Sequence, residues 1–492
     1  MTSAFLSRLL DGLRAGGDRP AFRHGGTVTS YRAAYRALFR LHGALAAEGV
    51  GPGDVVAVRG GNRPETVLAQ LAAQLRGASV LLVGASATAP DRRAALTAAG
   101  VTVLLADPGL GDPARDGVPR VLPLTGSGPG TPAPPRPPAS VHAVFLSGGT
   151  TGAPKLIGHR GIYDGMAHIF RPDPDGPNRT LVVSPVTHLT GNCAVLGALL
   201  CGDTVVLHDG FDPEAVLAAI GGQRVTHLSL TPPRLARLLD HPALADTDTA
   251  SVRRLSLGAS PLPSRRLRQA LAAFGPVVGQ GYGLTEAPMI ASISAEDYAG
   301  HPGRHDSVGR IVPGMEARID GADGAGDGAV GEVLVRGLAL MEGYVGRPDL
   351  TRRAFTGGWL RTGDVGRFDA DGYLYLLDRL HDVIVTGEHG TKVYSTVVED
   401  ALTGHPGVRQ AAVFGVPGPD GEGERVHAVV VADPGGPGED VLRAHVRALL
   451  DQDHPVPARI EFAGALPLTD IGKVDKQALR APHWAGHSRG IA

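Results

Sequence analysis

The amino-acid sequence predicts an α/β fold with a large N-terminal domain and a small α+β C-terminal domain. Short apolar runs alternate with helical patterns up to about Gly281, which is typical of right-handed βαβ units and parallel sheets. A compact pattern of strands and one helix begins near Asp382 and fills the remaining chain. We therefore expect residues 1–381 and 382–492 to form separate domains, the first with two doubly wound sheets and a β subdomain.

The first sheet is predicted from three strand-like runs at residues 55–59, 79–83 and 101–106. A segment rich in proline and glycine then interrupts the alternation. Residues 126–138 hold six prolines and three glycines, a composition that packs neither as a helix nor as a sheet. We expect this segment to be an exposed linker between the two sheet subdomains.

The second sheet and the C-terminal domain follow from the same reasoning. After Glu286 the strands become more polar and turn-rich, which predicts an antiparallel β subdomain containing residues 331–336 and 373–377. The predicted elements of the second sheet are strands at residues 181–184, 204–208, 227–230, 254–257 and 277–278, and helices at residues 214–220 and 264–274. Those of the C-terminal domain are strands at residues 411–416, 426–432 and 460–462, and a helix at residues 441–450.

Composition narrows the class of protein. A chain of 492 residues is long enough for more than one hydrophobic core, and its net charge of −2 gives no basic surface for nucleic acid or anionic lipid. Cys193 and Cys201 are too few for a disulfide framework. No uncharged apolar run reaches about 18 residues, and the apolar run before Arg8 is too short for a signal peptide. We expect a cytoplasmic enzyme, monomeric or homodimeric, that binds neither membrane nor nucleic acid.

A loop rich in glycine and hydroxyl residues carries the first functional signal. It follows the strand-like run 141–146. Glycines allow backbone N–H groups to form a concavity for phosphate oxygens, hydroxyls add donors, and Lys155 adds a positive charge. The spacing is not that of a Walker A loop, and an ordinary surface turn is the alternative. The candidate phosphate ligands are Ser147, Gly148, Gly149, Thr150, Thr151 and Gly152.

The loop resembles the phosphate loop of adenylate-forming enzymes: acyl- and aryl-CoA synthetases, stand-alone adenylation proteins and luciferases. Its double glycine is most similar to the aryl-acid-activating branch. Further motifs of that family follow in the expected order, and the resemblance runs from about Asp18 to Leu479. The motifs are G-Y-G-x-T-E at residues 281–286, W-x-x-T-G-D at residues 359–364 and P-x-T-x-x-G-K at residues 467–473.

The resemblance implies a two-step reaction. A small carboxylic acid, aryl or short and substituted, is joined to AMP with release of pyrophosphate. The acyl group then passes to a thiol, either CoA or the phosphopantetheine of an acyl carrier protein. ATP and Mg²⁺ are the implied cofactors. The C-terminal domain becomes a mobile lid that turns about a hinge at Asp382, and it delivers the catalytic Lys473 between the carboxylate and the α-phosphate.

The same resemblance assigns roles to individual residues. Thr285 is implied to donate to the α-phosphate, and Glu286 to bind Mg²⁺, which prefers oxygen ligands shared with phosphate and water. A solvated turn or a helix cap is the alternative for this pair, and core filling is the alternative for Tyr282. The nucleotide is expected to contact Gly258 and Ala259 at the adenine, Tyr282 by stacking with Gly283 beside it, and Asp364 at the ribose. Arg379 is implied to make a second ribose or phosphate contact, and a surface ion pair is its alternative.

The acid is expected beside His188, where the family places a histidine or an aromatic residue. His188 is also implied to orient the substrate or gate the thiol path, and a buried core histidine is the alternative. Gly281, Thr190 and Asn192 complete the candidate pocket. Enzymes selective for 2-hydroxybenzoates carry asparagine immediately after this histidine, whereas this chain has Leu189. A salicylate-like substrate is therefore not supported.

The loop after the hinge departs from the family pattern. Between Asp382 and Val393 it is about two residues longer, and the second glycine is lost. Because this loop lines the pantetheine path in the family, thioester formation is indicated less directly than adenylation. An amide ligase and an activator of a non-carboxylate oxyanion remain alternatives. A non-catalytic nucleotide sensor or scaffold is disfavoured because Lys473, Glu286 and the phosphate loop all persist.

Overall fold

A computed structural model confirms the α/β architecture. It describes residues 2–126, 135–146, 155–321, 328–386, 391–418, 423–450, 455–469 and 472–485. Most of the predicted linker at residues 126–138, and the candidate phosphate ligands at residues 147–152, lie outside the described residues. Within the described ranges, no helix is both long and apolar enough to cross a membrane.

The first group of helices and strands lies between residues 4 and 239. In chain order these are α1 (Ala4–Ala15), β1 (Pro20–His24), β2 (Thr27–Ser30), α2 (Tyr31–Ala47), β3 (Val55–Gly60), α3 (Pro64–Leu75), β4 (Ser79–Gly84), α4 (Ala89–Ala98), β5 (Val103–Ala106), β6 (Val121–Pro123), β7 (His142–Leu146), β8 (Leu156–Arg160), α5 (Ile162–Ile169), β9 (Arg179–Val182), α6 (Leu189–Cys201), β10 (Thr204–Leu207), α7 (Pro213–Gln223), β11 (His227–Leu230) and α8 (Pro232–Leu239).

The remaining elements complete the large domain and form the C-terminal domain. They are β12 (Arg254–Gly258), α9 (Ser264–Phe274), β13 (Val278–Tyr282), β14 (Ala291–Ile293), α10 (Ala295–Tyr298), β15 (Ser307–Ile311), β16 (Met315–Asp320), β17 (Gly331–Gly337), β18 (Gly343–Tyr344), α11 (Pro348–Ala354), β19 (Phe355–Thr356), β20 (Trp359–Phe368), β21 (Leu374–Arg379), β22 (Ile384–Thr386), β23 (Thr391–Val393), α12 (Ser395–Gly404), β24 (Val408–Pro417), β25 (Glu424–Ala432), α13 (Glu439–Leu449), β26 (Arg459–Phe462) and α14 (Lys476–Arg480).

Two sheets build the large domain. The smaller has the strand order β18-β8-β7-β4-β3-β5-β6, with parallel pairing from β7 to β6. The larger runs β16-β17-β20-β21-β15-β14-β13-β12-β11-β9-β10-β1-β2, with β19 paired to β20. Helices α1, α2, α3 and α6 share one apolar core with strands of both sheets. This common core joins the two sheets in one body.

The predicted β subdomain is continuous with the larger sheet. Strand β14 returns antiparallel to β13 and pairs in turn with β15, so the hydrogen-bonded ladder does not end where the parallel strands end. β15 then pairs with β21 and joins the antiparallel strands. Beyond these, β22 to β26 form a five-stranded sheet with its own apolar core.

Candidate active site

The site lies at the carboxyl ends of the parallel strands β12 and β13, which is where open α/β sheets bind ligands. A side chain at Gly258 would place its Cβ atom 2.7 Å from the carbonyl oxygen of Gly281, so the two strand ends approach closely. Ala259 follows with φ of +70°, in the left-handed region that non-glycine residues rarely adopt. Such strain is typical of a functional turn. Adenine contact by Gly258 and Ala259 remains a prediction.

Asp364 is the centre of a buried polar group. Its Oδ2 accepts a hydrogen bond of 2.5 Å from the Tyr282 hydroxyl, and its Oδ1 lies 2.7 Å from Nε of Arg379. Asp364 on β20 is directly paired with Arg379 on β21, so the sheet register fixes this contact. Burial raises the pKa of Asp364, whereas Arg379 and the Tyr282 hydroxyl oppose that shift. Both carboxylate oxygens are therefore held in fixed positions, and ribose binding by Asp364 and Arg379 stays a prediction.

Tyr282 belongs to an apolar cluster and is 7% exposed. Burial and the nearby Asp364 carboxylate raise its pKa well above the usual value, so the phenol keeps its proton and donates. The structure thus gives Tyr282 a positioning contact with Asp364 that the sequence does not predict. Its stacking on adenine stays a prediction.

Glu286 is held by a residue from the opposite sheet. Oε1 accepts a 2.9 Å hydrogen bond from the Tyr344 hydroxyl, and the main-chain oxygen of Glu286 accepts one of 2.8 Å from the amide of Met341. The ammonium group of Lys155 lies 5.2 Å from the centroid of the Tyr344 ring. Mg²⁺ is commonly bound by one or two carboxylates together with substrate phosphates and water. An oriented single carboxylate fits that ligand set, and magnesium binding by Glu286 stays a prediction.

The turn leading to Glu286 is also fixed by close contacts. A Cβ atom at Gly283 would lie 2.3 Å from the carbonyl oxygen of Pro288, so the close approach requires glycine. Nε2 of His159 donates a 2.6 Å hydrogen bond to the carbonyl oxygen of Thr285. The backbone of Thr285 and Glu286 is therefore held from both sides, while the Thr285 contact to phosphate stays a prediction.

Lys473 enters this site from the C-terminal domain. Its pKa is lowered to about 8, mainly because burial disfavours the ammonium form, and secondly because Arg379 carries the same charge. The carboxylates of Asp364 and Glu286 act in the opposite direction. Residues separated by almost 200 positions in the sequence thus share one electrostatic site.

The turn that carries Lys473 docks on helix α8. The Thr231 hydroxyl donates a 2.9 Å hydrogen bond to the carbonyl oxygen of Gly472. Gly472 has φ of +79°, and a Cβ atom there would lie 2.6 Å from Nε of Arg234. Thr469 closes the turn, because its amide donates a 2.8 Å hydrogen bond to the carbonyl oxygen of Lys473. Only glycine allows this close packing against Arg234.

The residues predicted to form the acid pocket have different surroundings in the structure. His188 is the residue before α6, and its Nε2 would lie 3.5 Å from a Cβ atom built at Gly84. Thr190 is exposed, and Gly281 lies on β13 beside the Met289 thioether. Roles in acid binding for these three residues stay predictions.

Asn192, predicted from the sequence to lie in the acid pocket, is buried, and its side chain is not available to bind a substrate. Its amide nitrogen donates to Gln70 at 2.6 Å and to the Val186 carbonyl at 2.8 Å, and its oxygen accepts from Tyr163 at 2.7 Å and from Gln70 at 3.3 Å. Both donors and both acceptor positions of the amide are thus used inside the protein. We do not include Asn192 among the residues proposed to read the substrate.

The predicted hinge at Asp382 is held by charge. Nη1 of Arg480 lies 3.2 Å from Oδ1 of Asp382, and the amide of Asp382 donates to the carbonyl oxygen of Arg379. The pKa of the neighbouring Asp378 is raised to about 6 by burial, and its carboxylate accepts a 2.5 Å bond from the amide of Ser395. Hinge motion stays a prediction, and residues 387–390 of the altered loop lie outside the described residues.

Sequence reasoning missed Tyr344, His159, Thr231 and Arg234. None belongs to the motifs that identify the site. One local signal was present for Thr231, because it precedes two prolines at the start of a helix. Such a start leaves a threonine hydroxyl with fewer backbone amides to cap, and therefore available to another partner.

Comparison with family models identifies two regions. Residues 12–345 match the family described as AMP-binding enzyme, and residues 397–473 match the AMP-binding enzyme C-terminal domain. Feruloyl-CoA synthase from Amycolatopsis sp. is 35% identical over 480 residues, covering 94% of this chain and 95% of that protein. The medium/long-chain-fatty-acid–CoA ligase FadD8 of Mycobacterium tuberculosis is 37% identical over 374 residues, covering 72% of this chain and 63% of that ligase.

Solved structures agree with these matches. The amide bond synthetase McbA from Marinactinospora thermotolerans is 36% identical, with a TM-score of 0.85 over 97% of this chain and 98% of that chain. O-succinylbenzoate coenzyme A synthetase from Bacillus subtilis, in complex with ATP and magnesium ion, is 27% identical, with a TM-score of 0.80 over 97% and 99%. The chain therefore belongs to the family of AMP-binding enzymes and is an acyl-adenylate-forming ligase.

Proposed function

We propose that this ligase activates a small aryl or short substituted carboxylic acid with ATP and transfers the acyl group to the thiol of CoA. The observation that carries the proposal is that the turn of Lys473 binds the large domain through Thr231 and Gly472, which brings the ammonium group under the influence of the Asp364–Arg379 pair and Glu286. Mg²⁺ as cofactor and a cytoplasmic location are parts of the same proposal.

The chemistry follows from the charges that must be neutralised. A carboxylate oxygen of the acid attacks the α-phosphorus of ATP, and the bond to the β-phosphate oxygen breaks as pyrophosphate leaves. Lys473 is proposed to neutralise the charge that develops on the attacking carboxylate and the α-phosphate. When bound, Mg²⁺ supplies further charge neutralisation at the phosphates, with Glu286 as its protein ligand. The thiolate then attacks the acyl carbon, and AMP leaves.

Nucleotide positioning is assigned to the neighbours of Asp364. Its carboxylate, oriented by Tyr282 and Arg379, accepts hydrogen bonds from the ribose hydroxyls. Holding both the nucleotide and the acid converts a bimolecular attack into an effectively unimolecular step. The glycine-rich loop with Lys155 is proposed to hold the β- and γ-phosphates.

Whole-length similarity to a feruloyl-CoA synthase supports an aryl acid and CoA. The phosphopantetheine arm of a carrier protein presents the same thiol, and one relative is a fatty acid–[acyl-carrier-protein] ligase from Streptomyces coeruleorubidus. A carrier protein is therefore an alternative acceptor, which differs from CoA only in the molecule that carries the thiol.

Amide formation is the second candidate. It is favoured by the similarity to an amide bond synthetase over 97% of the chain, together with the altered loop between Asp382 and Val393. In that case an amine attacks the same acyl-adenylate, and adenylation is unchanged.

The experiment that separates these acceptors is product analysis by mass spectrometry. Purified protein receives ATP, Mg²⁺ and an activated acid, with CoA, a phosphopantetheinylated carrier protein or a panel of amines added separately. The proposal predicts acyl-CoA formed together with AMP, and none with Lys473→Ala. Amide product with amines, and no thioester with either thiol, would replace the thiol proposal by the amide candidate.

A further inference from the structure

The two domains meet at a second place, at the N-terminus of helix α9. The guanidinium group of Arg265 there donates hydrogen bonds to carbonyl oxygens of the C-terminal domain. Its Nη1 bonds the oxygen of Val408 at 2.7 Å, that of His405 at 3.3 Å and that of Thr403 at 3.5 Å, and its Nη2 bonds that of Pro406 at 2.9 Å. One side chain of the large domain thus collects four main-chain oxygens around the end of helix α12.

A carboxylate makes the reciprocal contact. Oδ1 of Asp400, on helix α12, accepts a 2.9 Å hydrogen bond from the amide of Ser264, the first residue of α9. The N-terminus of a helix attracts negative charge, and its C-terminus attracts positive charge. Asp400 therefore complements the start of α9, while Arg265 complements the end of α12. Each helix therefore carries the charged side chain that the facing end of the other helix favours.

The next residue extends the contact. Nη2 of Arg266 donates a 2.8 Å bond to the carbonyl oxygen of Arg409, while its guanidinium group pairs with both oxygens of Asp240 at 2.6 and 2.9 Å. Arg266 is buried and held by its own domain, so it presents a fixed donor to the C-terminal domain. The contact surface is therefore ordered on the side of the large domain.

These bonds depend on one relative orientation of the domains. Four carbonyl oxygens of residues 403–408 can converge on the Arg265 guanidinium group only while the end of α12 faces the start of α9. In that orientation the Thr231 hydroxyl also donates to Gly472, the residue before Lys473, and Lys473 lies within the electrostatic influence of Asp364 and Glu286. A contact made in one of two states shifts the equilibrium towards that state.

We propose that the N-terminus of α9, residues 264–266, is the docking site that selects the adenylating orientation of the C-terminal domain, with Arg265 as its positioning residue. The inference rests on the proposed two-step function, because only an enzyme with two half-reactions gains from selecting one orientation for one of them. Arg265 acts through Lys473 and touches no reacting atom.

The test compares the two half-reactions in Arg265→Ala. Adenylation is measured by ATP–pyrophosphate exchange, and transfer is measured from a synthetic acyl-adenylate with CoA or the accepted amine. We expect kcat for exchange to fall about tenfold, as for the loss of charged hydrogen bonds, with KM for ATP and the transfer rate unchanged. Arg265→Lys keeps the charge but not the fork of donors, so it restores part of the exchange rate.

The matched control is Arg14→Ala, an exposed arginine of the large domain that pairs only with Asp11 on its own helix α1 among the described ion pairs. It is expected to behave as the wild type in both half-reactions. Equal loss of both half-reactions in Arg265→Ala, or no loss in either, would overturn the inference. Absence of any acid-dependent exchange in the wild type is a different result, since it contradicts the proposed function itself.

A second measurement does not require turnover. Spin labels at the exposed positions Asp246 and Asp440, in a background without Cys193 and Cys201, report the distance between the domains. With a non-hydrolysable ATP analogue, the wild type is expected to give one dominant distance, and Arg265→Ala a reduced fraction at that distance. Identical distance distributions in the two proteins would contradict a docking role.

Discussion

The hydroxyl of Thr231 donates a 2.9 Å hydrogen bond to the carbonyl oxygen of Gly472, the residue directly before Lys473. Thr231 precedes helix α8, which starts with Pro232 and Pro233. Proline has no amide hydrogen, so the first two helical positions offer the hydroxyl nothing to accept. Within the described residues, the Thr231 hydroxyl makes no capping hydrogen bond to α8. It donates to the C-terminal domain instead. The start of α8 thereby positions the turn that carries Lys473.

Replacing Thr231 by valine tests this contact, because valine keeps the shape and removes the donor. A neutral hydrogen bond contributes about 1 kcal/mol, so ATP–pyrophosphate exchange should fall roughly fivefold. Thr231→Ser retains the hydroxyl and should stay close to the wild-type rate. Equal rates in the valine and wild-type enzymes would show that the bond does not position Lys473.

The pH dependence of adenylation follows from Lys473. Its pKa in the folded protein is about 8, below the ordinary value, so the ammonium form is complete well below pH 8 and is lost as the pH rises through 8. We expect kcat/KM for ATP, which reports the free enzyme, to decline above about pH 8. In Lys473→Arg the side chain stays protonated, so this alkaline decline should disappear even if the rate is lower. The same alkaline limb in both enzymes would assign it to another group.

Tyr344 is expected to affect magnesium dependence. Its hydroxyl donates to Oε1 of Glu286, and removing such a partner of a metal ligand typically costs about 10- to 100-fold in metal affinity. Tyr344→Phe should therefore raise the Mg²⁺ concentration needed for half-maximal exchange by about tenfold. The matched control is Tyr375→Phe, which removes a similar bond to the carboxylate of Asp369. A shift of equal size in both variants would exclude a specific effect on Glu286.

Asp364 is expected to recognise the ribose. In Asp364→Asn the charge that pairs with Arg379 is lost, and one acceptor oxygen becomes a donor. We expect KM for ATP to rise about tenfold, because a charged hydrogen bond is weakened, and the preference for ATP over 2′-deoxy-ATP to shrink. Glu316→Gln breaks a surface pair with Arg336 in the same sheet and should change neither value. An undiminished preference for the 2′-hydroxyl in Asp364→Asn would contradict the ribose assignment.

Local patterns predicted much of the fold. The helix predicted at residues 264–274 coincides with α9, and the strand predicted at residues 227–230 coincides with β11. The short strand predicted at residues 277–278 extends to Tyr282, because Gly279 and Gly281 hide its alternation. The joining of the β subdomain to the large sheet was not predictable, since it depends on pairing between β13, β14 and β15 rather than on any local signal.

The site was predictable to the extent that motifs mark it. Lys473, Asp364, Arg379 and Glu286 each lie in or beside a motif, and the structure brings them together. Asn192 was misjudged because nearness to His188 in sequence does not determine which way a helix turns a side chain. The domain contacts could not be read from sequence at all.

There is a physical reason why the sequence does not predict the contacts between the two domains. Arg265 and Thr231 bind main-chain carbonyl oxygens, which every residue possesses, so their partners carry no sequence signature. An arginine in a helix or a threonine before one is ordinarily a surface residue. Only the relative placement of the two domains distinguishes Arg265 and Thr231 from other arginines and threonines of the surface.

The most direct test of the account is ATP–pyrophosphate exchange across a panel of aryl, short aliphatic and amino acids, with Lys473→Ala as the control. We expect strong exchange with one class of small acid, aryl or short and substituted, and a loss of about 100-fold or more in the variant, as for other removed transition-state donors. No acid-dependent exchange in a protein that binds ATP, or equal exchange in Lys473→Ala, would contradict it.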